Sequence, residues 1–241
     1  MNRCLVVIPS RMGSTRFPGK PLCDLMGRPM VQWVVEAARA ADLGPVLVAT
    51  PDEEILAAVA AFGGEAVRTR DDHPSGTDRI AEVAREHPAE IYVNVQGDEP
   101  LVRPEDIHAC AAPLLADPTV RMGSVMADCP AHEEDNPAVV KVVTDTAGNA
   151  LYFSRHAIPF ARNSRVTPLR KHIGLYAYRR EVLAEFATWP QTPLEQAESL
   201  EQLRFLEHGV GIRMSMGHGS ALAVDTPEQA EEVRRILASG R

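Results

Sequence analysis

The stretch C-L-V-V-I-P-S-R-M-G-S-T-R-F-P-G-K-P, residues 4–21, is a run of strand-forming residues that breaks into a loop rich in glycine, proline and positive charge. In an open α/β sheet, ligands gather at the carboxyl ends of the strands, so this loop stands where one would bind. Gly13 and Gly19 let the backbone approach a ligand closely, Arg11, Arg16 and Lys20 bring charge, and Ser14 and Thr15 bring hydroxyl groups. That mixture suits a polyphosphate. A Walker A loop is excluded, because five residues separate the glycines and Pro21 follows Lys20. The chain has no G-x-G-x-x-G fingerprint, which removes the dehydrogenase reading. An ordinary basic turn is the plainer alternative for this loop.

Outward from the loop, short β-rich runs alternate with helical patterns. A helix is expected from Pro29 to Ala41, then P-V-L-V-A-T (45–50), a helix from Asp52 to Phe62, and A-V-R (66–68). A helix at 77–86, the run I-Y-V-N-V (91–95) and a helix at 104–116 follow. Such alternation predicts a mostly parallel sheet covered by helices. M-G-S-V-M-A (122–127), A-V-V-K-V-V-T (138–144), A-L-Y-F-S (150–154) and H-I-G-L-Y-A-Y-R (172–179) are strand-like with few helices between them. They predict an inserted, partly antiparallel sub-region over about 128–190. Helices over Pro193–Glu207 and Pro227–Ala238 flank the strand-like G-I-R-M-S-M (211–216), and the first would bury Leu194, Ala197, Leu200, Leu203 and Leu206. A single α/β domain spanning residues 1–241 accounts for the whole pattern.

With 33 acidic against 25 basic residues and a net charge of -8, the chain has no general field to attract nucleic acid or a membrane surface. Any anionic ligand must be held by a local basic pocket. The only lysines are Lys20, Lys141 and Lys171, the remaining basic residues being arginine. Cys4, Cys23, Cys110 and Cys129 have no C-x-x-C spacing, and no signal-like leader or long apolar run is present, which reads as a reduced, cytoplasmic protein.

Further clusters carry chemistry. N-V-Q-G-D-E-P (94–100) puts Asp98 at a strand's carboxyl end, and V-D-T-P (224–227) puts Asp225 just before a helix. Two hard carboxylates from separate segments suit Mg²⁺ bound against phosphates. Asp225 could instead be a helix N-cap. D-H-P-S-G-T-D-R (72–79) offers Ser75 and Gly76 at a helix start, with His73 as a ligand or a packing residue. Arg155, Arg162, Arg165, Arg170, Lys171 and His172 concentrate positive charge, as an anionic acceptor would require, although a solvated basic loop explains Arg162 and Arg165 equally well.

Taken in order, P-S-R-M-G-S-T-R-F-P-G-K-P-L, H-P-S-G-T-D-R, V-N-V-Q-G-D-E-P, N-P-A-V-V-K-V-V, L-Y-F-S-R-x-x-I-P, K-H-I-G-L-Y-A-Y-R, L-E-Q-A-E-S-L-E-Q-L-R and V-D-T-P-E strongly resemble the CMP-Kdo synthetases, the 3-deoxy-manno-octulosonate cytidylyltransferases. The resemblance runs from residue 4 to about 235. It implies a Rossmann-like nucleotidyltransferase fold with a dimerisation sub-region, hence a homodimer, and Mg²⁺-dependent transfer of CMP from CTP with release of pyrophosphate. By position it implies that Arg11, Ser14 and Lys20 hold the triphosphate, that Ser10, Ser75, Gly76 and Arg79 line the nucleoside pocket, and that Asp98 and Asp225 bind Mg²⁺. Arg11, Lys20, Asp98 and Asp225 would together carry catalysis. Gln96, Arg155, His172, Tyr176, Glu201 and Gln202 fall where the family meets its sugar acid.

The sequence departs from the family chiefly around the acceptor. Residues after Thr50 read P-D-E-E, G-H-G-S-A-L-A precedes V-D-T-P, and the segment between Ile158 and Lys171 is short and arginine-rich. That segment keeps a small phosphonate such as phosphonoformate open as a rival acceptor. A catalytically silent nucleotide-binding relative is a third reading, and the presence of Lys20, Asp98 and Asp225 together argues against it.

Overall fold

Residues 4–8 are apolar without alternation because the strand they form is covered on both sides. Cys4, Val6 and Ile8 enter one core and Leu5 and Val7 the other. The computed structural model describes residues 2–14, 16–163, 167–219 and 222–240. Thr15 and Arg165 therefore lie outside the described residues.

In chain order the elements are β1 (Asn2–Pro9), the short hairpin β2 (Asp24–Leu25) and β3 (Arg28–Pro29), α1 (Met30–Ala40), β4 (Val46–Thr50), α2 (Glu53–Ala61) and β5 (Ala66–Arg68). Then come α3 (Gly76–Glu86), β6 (Ala89–Asn94), α4 (Pro104–Ala116), β7 (Met122–Asp128), β8 (Lys141–Thr144), β9 (Ala150–Ser154) and β10 (Arg170–Arg179). The chain closes with α5 (Arg180–Phe186), α6 (Pro193–Glu198), α7 (Gln202–Glu207), β11 (Ile212–Met216) and α8 (Pro227–Ala238). Among the described residues no helix is long and apolar enough to cross a membrane.

The main sheet runs β11-β7-β10-β6-β1-β4-β5, with β8 and β9 attached through β10. β1 pairs in parallel with β4 and β6, and β4 with β5. The antiparallel character predicted for the second half comes from β10, which pairs antiparallel with β6, β7 and β8. The architecture is thus the expected mostly parallel sheet covered by helices. On one face α1 and α4 supply Val31, Val34, Ile107 and Leu114, and on the other α3, α5 and α7 supply Ile80, Val182, Phe186 and Leu203. A third cluster joins α8 to the β2–β3 hairpin through Ala230, Val233, Val224 and Leu25, which pins the segment carrying Asp225.

Where one helix was expected over Pro193–Glu207, two are found. Ser199 adopts a left-handed φ of 51°, ending α6. The break serves a buried ion pair: Arg204 donates to both carboxylate oxygens of Glu195, at 2.7 and 2.5 Å. Leu200 and Leu203 still reach the core, but Leu194 is exposed and the expected stripe does not continue through Ala197. Removing one partner of such a pair strands a buried charge, so Arg204→Met lowers unfolding free energy by about 3–5 kcal/mol. Denaturant titration checks this, and the double variant Glu195→Leu with Arg204→Met recovers most of the loss.

Candidate active site

β1 delivers the loop of residues 10–22 to the carboxyl edge of the sheet. Two tethers shape it: Met12 N donates to Asp52 Oδ2 at 2.7 Å, and Gly19 N donates to Met12 O at 3.3 Å. Gly19 takes a φ of 72°, available at little strain to glycine, and starts the single turn Lys20–Leu22 that swings Lys20 inward. Ser14 Oγ accepts from Phe17 N at 3.2 Å, holding the loop's outer bend.

β6 ends beside it. A Cβ on Gly97 would lie 2.9 Å from the Pro9 carbonyl, so the two strand ends approach closely only because residue 97 is glycine. Asp98 is thereby set against Lys20, whose Nζ donates to Asp98 Oδ2 at 2.8 Å and to Asp225 Oδ1 at 3.0 Å. Val224 N donates to the Asp98 carbonyl at 2.8 Å, stitching the two carboxylate-bearing segments together. Arg16 reaches Asp225 Oδ2 at 2.9 Å. Burial works against the charge on Lys20, yet Asp98 and Asp225 outweigh it and raise the pKa above the ordinary lysine value. Lys20 is therefore cationic at any working pH.

The sequence allows Asp225 to be a ligand or a cap. Thr226 is the N-cap of α8, completed by Gln229, whose side chain also accepts from Asp225 N at 2.7 Å. The Asp225 carboxylate is consequently available to face the cleft. Asp98 and Asp225 converge on the Lys20 ammonium, and two hard carboxylates this close are a donor pair that fits Mg²⁺. Among the described residues no group of three or more His, Cys, Asp or Glu side chains could hold a metal, so a cation here needs substrate oxygens and water to complete its shell.

Three cavities meet at this edge. One of about 430 Å³ is lined by Ser10, Arg11, Ser14, Arg16, Lys20 and Asp98. A smaller one of about 130 Å³ shares Ser10 and Arg11 with it and adds His73, Ser75, Gly76 and Arg79. Ser75 caps α3, accepting from Asp78 N at 3.2 Å. Arg79 is buried and donates to Thr69 and to the Arg70 carbonyl; burial, helped by the Arg11 charge, lowers its pKa. His73 packs against Glu82, with Nε2 and the carboxylate in contact, so it braces this pocket.

The third is a cleft of about 1030 Å³ that takes in Gln96, Asp98, Arg155, His172, Tyr176 and Gln202. It shares Arg16, Gln96 and Asp98 with the first cavity, so one continuous surface runs from one to the other. Tyr176 Oη donates to Gln202 Oε1 at 3.3 Å. Glu201 lines an adjoining groove that shares Ser199 and Leu200 with this cleft, and it accepts from Thr77 Oγ1 at the start of α3. The turn between α6 and α7 sets Glu201 and Gln202 on two adjoining cavities.

The basic cluster is also less cationic than its sequence. Arg170 pairs with Asp128 and Lys171 with Glu133, while the Arg155 guanidinium donates to the carbonyls of Pro137, Glu198 and Ser199. Arg170 and Lys171 are thus offset within the fold and Arg155 is held by neutral carbonyls, while Arg162 stays exposed.

Sequence reasoning passed over three supporting residues: Asp52, Gln229 and Ser124. Only the P-D-E-E departure after Thr50 marked the first of them. Buried Ser124 donates to the Leu175 carbonyl at 2.8 Å, so its oxygen accepts from His172 Nε2 at 2.9 Å. This fixes the neutral tautomer with Nδ1 unprotonated. Burial lowers the His172 pKa to about 3, against an ordinary 6.5. Its ring signals are expected not to titrate between pH 5 and 9 by NMR. Because the unfolded chain takes up the proton first, this residue erodes stability as pH falls from about 6.5 towards 3. His172→Gln should flatten that acid limb in thermal melts.

A family profile described as Cytidylyltransferase matches residues 5–214. The 3-deoxy-manno-octulosonate cytidylyltransferase of Escherichia coli is 46% identical over 239 residues, covering 99% of this chain and 97% of its own. That of Geobacter sulfurreducens is 50% identical over 244 residues, covering 96% of this chain and 98% of its own. Among solved structures, a CMP:2-keto-3-deoxy-manno-octonic acid synthetase complexed with CTP is similar with a TM-score of 0.96 at 45% identity, over 100% of both chains. A cytidylyltransferase from Leptospira borgpetersenii, 14% identical with a TM-score of 0.67 over 99% of this chain and 88% of its own, shares the fold alone.

Proposed function

The chain belongs to the cytidylyltransferase family, and from that premise we propose that it transfers CMP from CTP to 3-deoxy-manno-octulosonate (Kdo), releasing pyrophosphate. The observation that carries the reading is the shared edge of two cavities. Asp98, Gln96 and Arg16 belong to both the cationic pocket and the larger cleft, so two bound anions would meet there.

In this arrangement Arg11, Ser14 and Lys20 bind the triphosphate, and Ser10, Ser75, Gly76 and Arg79 surround the nucleoside. Gln96, Arg155, His172, Tyr176 and Gln202 receive the sugar acid, with Glu201 beside them in the adjoining groove. An acceptor hydroxyl oxygen attacks the α-phosphorus in line and gives up its proton to solvent, the bond from that phosphorus to the β-bridging oxygen breaks, and pyrophosphate leaves. The protein's part is to orient two mutually repelling anions and to offset charge on the leaving group. Asp98 and Asp225 would hold Mg²⁺, which when bound supplies further neutralisation of the phosphate oxygens. The neutral His172 presents an acceptor lone pair at Nδ1, suited to a sugar hydroxyl and unsuited to a carboxylate. Exposed Leu151 and Phe160 on the antiparallel sub-region support a homodimer built through that region. The four unpatterned cysteines support a cytoplasmic setting.

Incubating the folded protein with CTP, Mg²⁺ and either Kdo or phosphonoformate, and measuring pyrophosphate, tests the acceptor. Release with Kdo alone is expected. Release with phosphonoformate alone, or none at millimolar Kdo, overturns the assignment.

A further inference from the structure

Lys141 lies at the start of β8 and is completely buried, at 0% exposure. Its ammonium donates to three backbone carbonyls: Asn136 at 3.0 Å, Val139 at 2.6 Å and Arg155 at 2.7 Å. Three protons meet three acceptors, so its donor capacity is spent inside the fold. A buried ammonium is costly to desolvate, and a methionine would fill similar space without that penalty. Packing alone therefore does not explain a cation here.

The three carbonyls belong to two segments just beyond the last pair of the β8–β9 ladder, Lys141 with Ser154. Residues 136–140 were expected to be partly strand, but β8 begins only at Lys141, and the preceding residues fold back over its side chain. Arg155 crosses in the reverse direction, its Nη1 donating to the Pro137 carbonyl at 2.9 Å and its Nε to Glu198 O at 2.7 Å. His172 N donates to Val140 O at 2.8 Å. Asn136, Val139, Val140, Arg155 and His172 all line the large cleft. The lysine thus ties the wall of that cleft to the strand end that carries its arginine.

We propose that Lys141 is a positioning residue for the acceptor subsite: its three donors set residues 136–140 and Arg155 where they meet the acceptor, without Lys141 touching it. This rests on the reading of the large cleft as the acceptor's half of the site.

The test compares Lys141→Met and Lys141→Gln with wild type in two measurements. In steady-state kinetics, KM for Kdo rises about tenfold or more in Lys141→Met and less in Lys141→Gln, which keeps two N–H donors. KM for CTP stays within about twofold, a split that general loosening would not produce. In hydrogen exchange by mass spectrometry, peptides covering 136–140 lose protection while those of β1 and β6 keep theirs. An unchanged acceptor KM in folded Lys141→Met overturns the proposal. So does a parallel rise of both KM values with exchange increased across the sheet. If Lys141→Met does not fold, Lys141→Gln decides on the same criteria. If wild type ignores Kdo, the acceptor assignment fails separately, and the exchange comparison, with whichever acceptor wild type does turn over, decides the role of Lys141.

Discussion

Asp98→Asn reduces kcat on the order of 10³-fold while the protein stays folded and keeps part of its CTP affinity. The substitution preserves the shape at the end of β6 but removes the charge from the one carboxylate common to the phosphate pocket and the acceptor cleft. Lys20 Nζ at 2.8 Å loses its nearer anionic partner and holds Asp225 alone. A divalent cation would lose half of its protein ligands. CTP binding falls less, because Arg11, Ser14 and Lys20 remain and the nucleoside pocket is built by other segments. Kinetics with CTP titrated by calorimetry separate the two effects. Unchanged turnover would remove Asp98 from the reaction.

Lys20→Met acts from the opposite side. It deletes a cation that is mostly enclosed, at 13% side-chain exposure, between two carboxylates. Loss of the cation that would offset charge on the departing pyrophosphate lowers kcat/KM for CTP about 100- to 1,000-fold. A second consequence is thermodynamic. Asp98 and Asp225 then face each other with Arg16, paired to the outer oxygen of Asp225, as the one ion-paired cation among the described residues. The melting temperature of Lys20→Met should fall in chelator and recover on adding Mg²⁺ by more than wild type gains. Melts with and without Mg²⁺ beside the kinetic assay check both. Equal Mg²⁺ responses in the two proteins would contradict the placement of the lysine between the carboxylates.

How much of this was legible in the sequence follows the range of the interactions. Local patterns carried well: the uniform apolar run at 4–8 and the strand-helix alternation after it forecast a sheet covered on both faces, and the glycine-bearing loop after β1 forecast the cationic pocket. What failed depended on partners distant in the chain. The Pro193–Glu207 pattern reads as one helix until Arg204 folds back on Glu195 and Ser199 turns left-handed. For Asp225 the sequence leaves a metal ligand and a cap side by side until Thr226 and Gln229 take the capping role. The arginine-rich stretch reads as free positive charge until Asp128, Glu133 and the carbonyls at 137, 198 and 199 are placed around it. Glu201 and Gln202, adjacent in sequence, face different cavities for the same reason. A linear pattern records which groups are present and at what spacing. It does not record which of them have already satisfied one another.

The central claim is that one phosphoryl transfer joins the contents of two adjoining cavities. Following a reaction of CTP, Kdo and Mg²⁺ by ³¹P NMR tests it most directly. The account predicts a new phosphodiester resonance from CMP linked to the sugar acid, growing in step with pyrophosphate as the three CTP resonances fade. Pyrophosphate accompanied only by free CMP would show transfer to water and contradict the acceptor site. A spectrum of unchanged CTP, with the protein folded and CTP bound, would contradict the reaction itself.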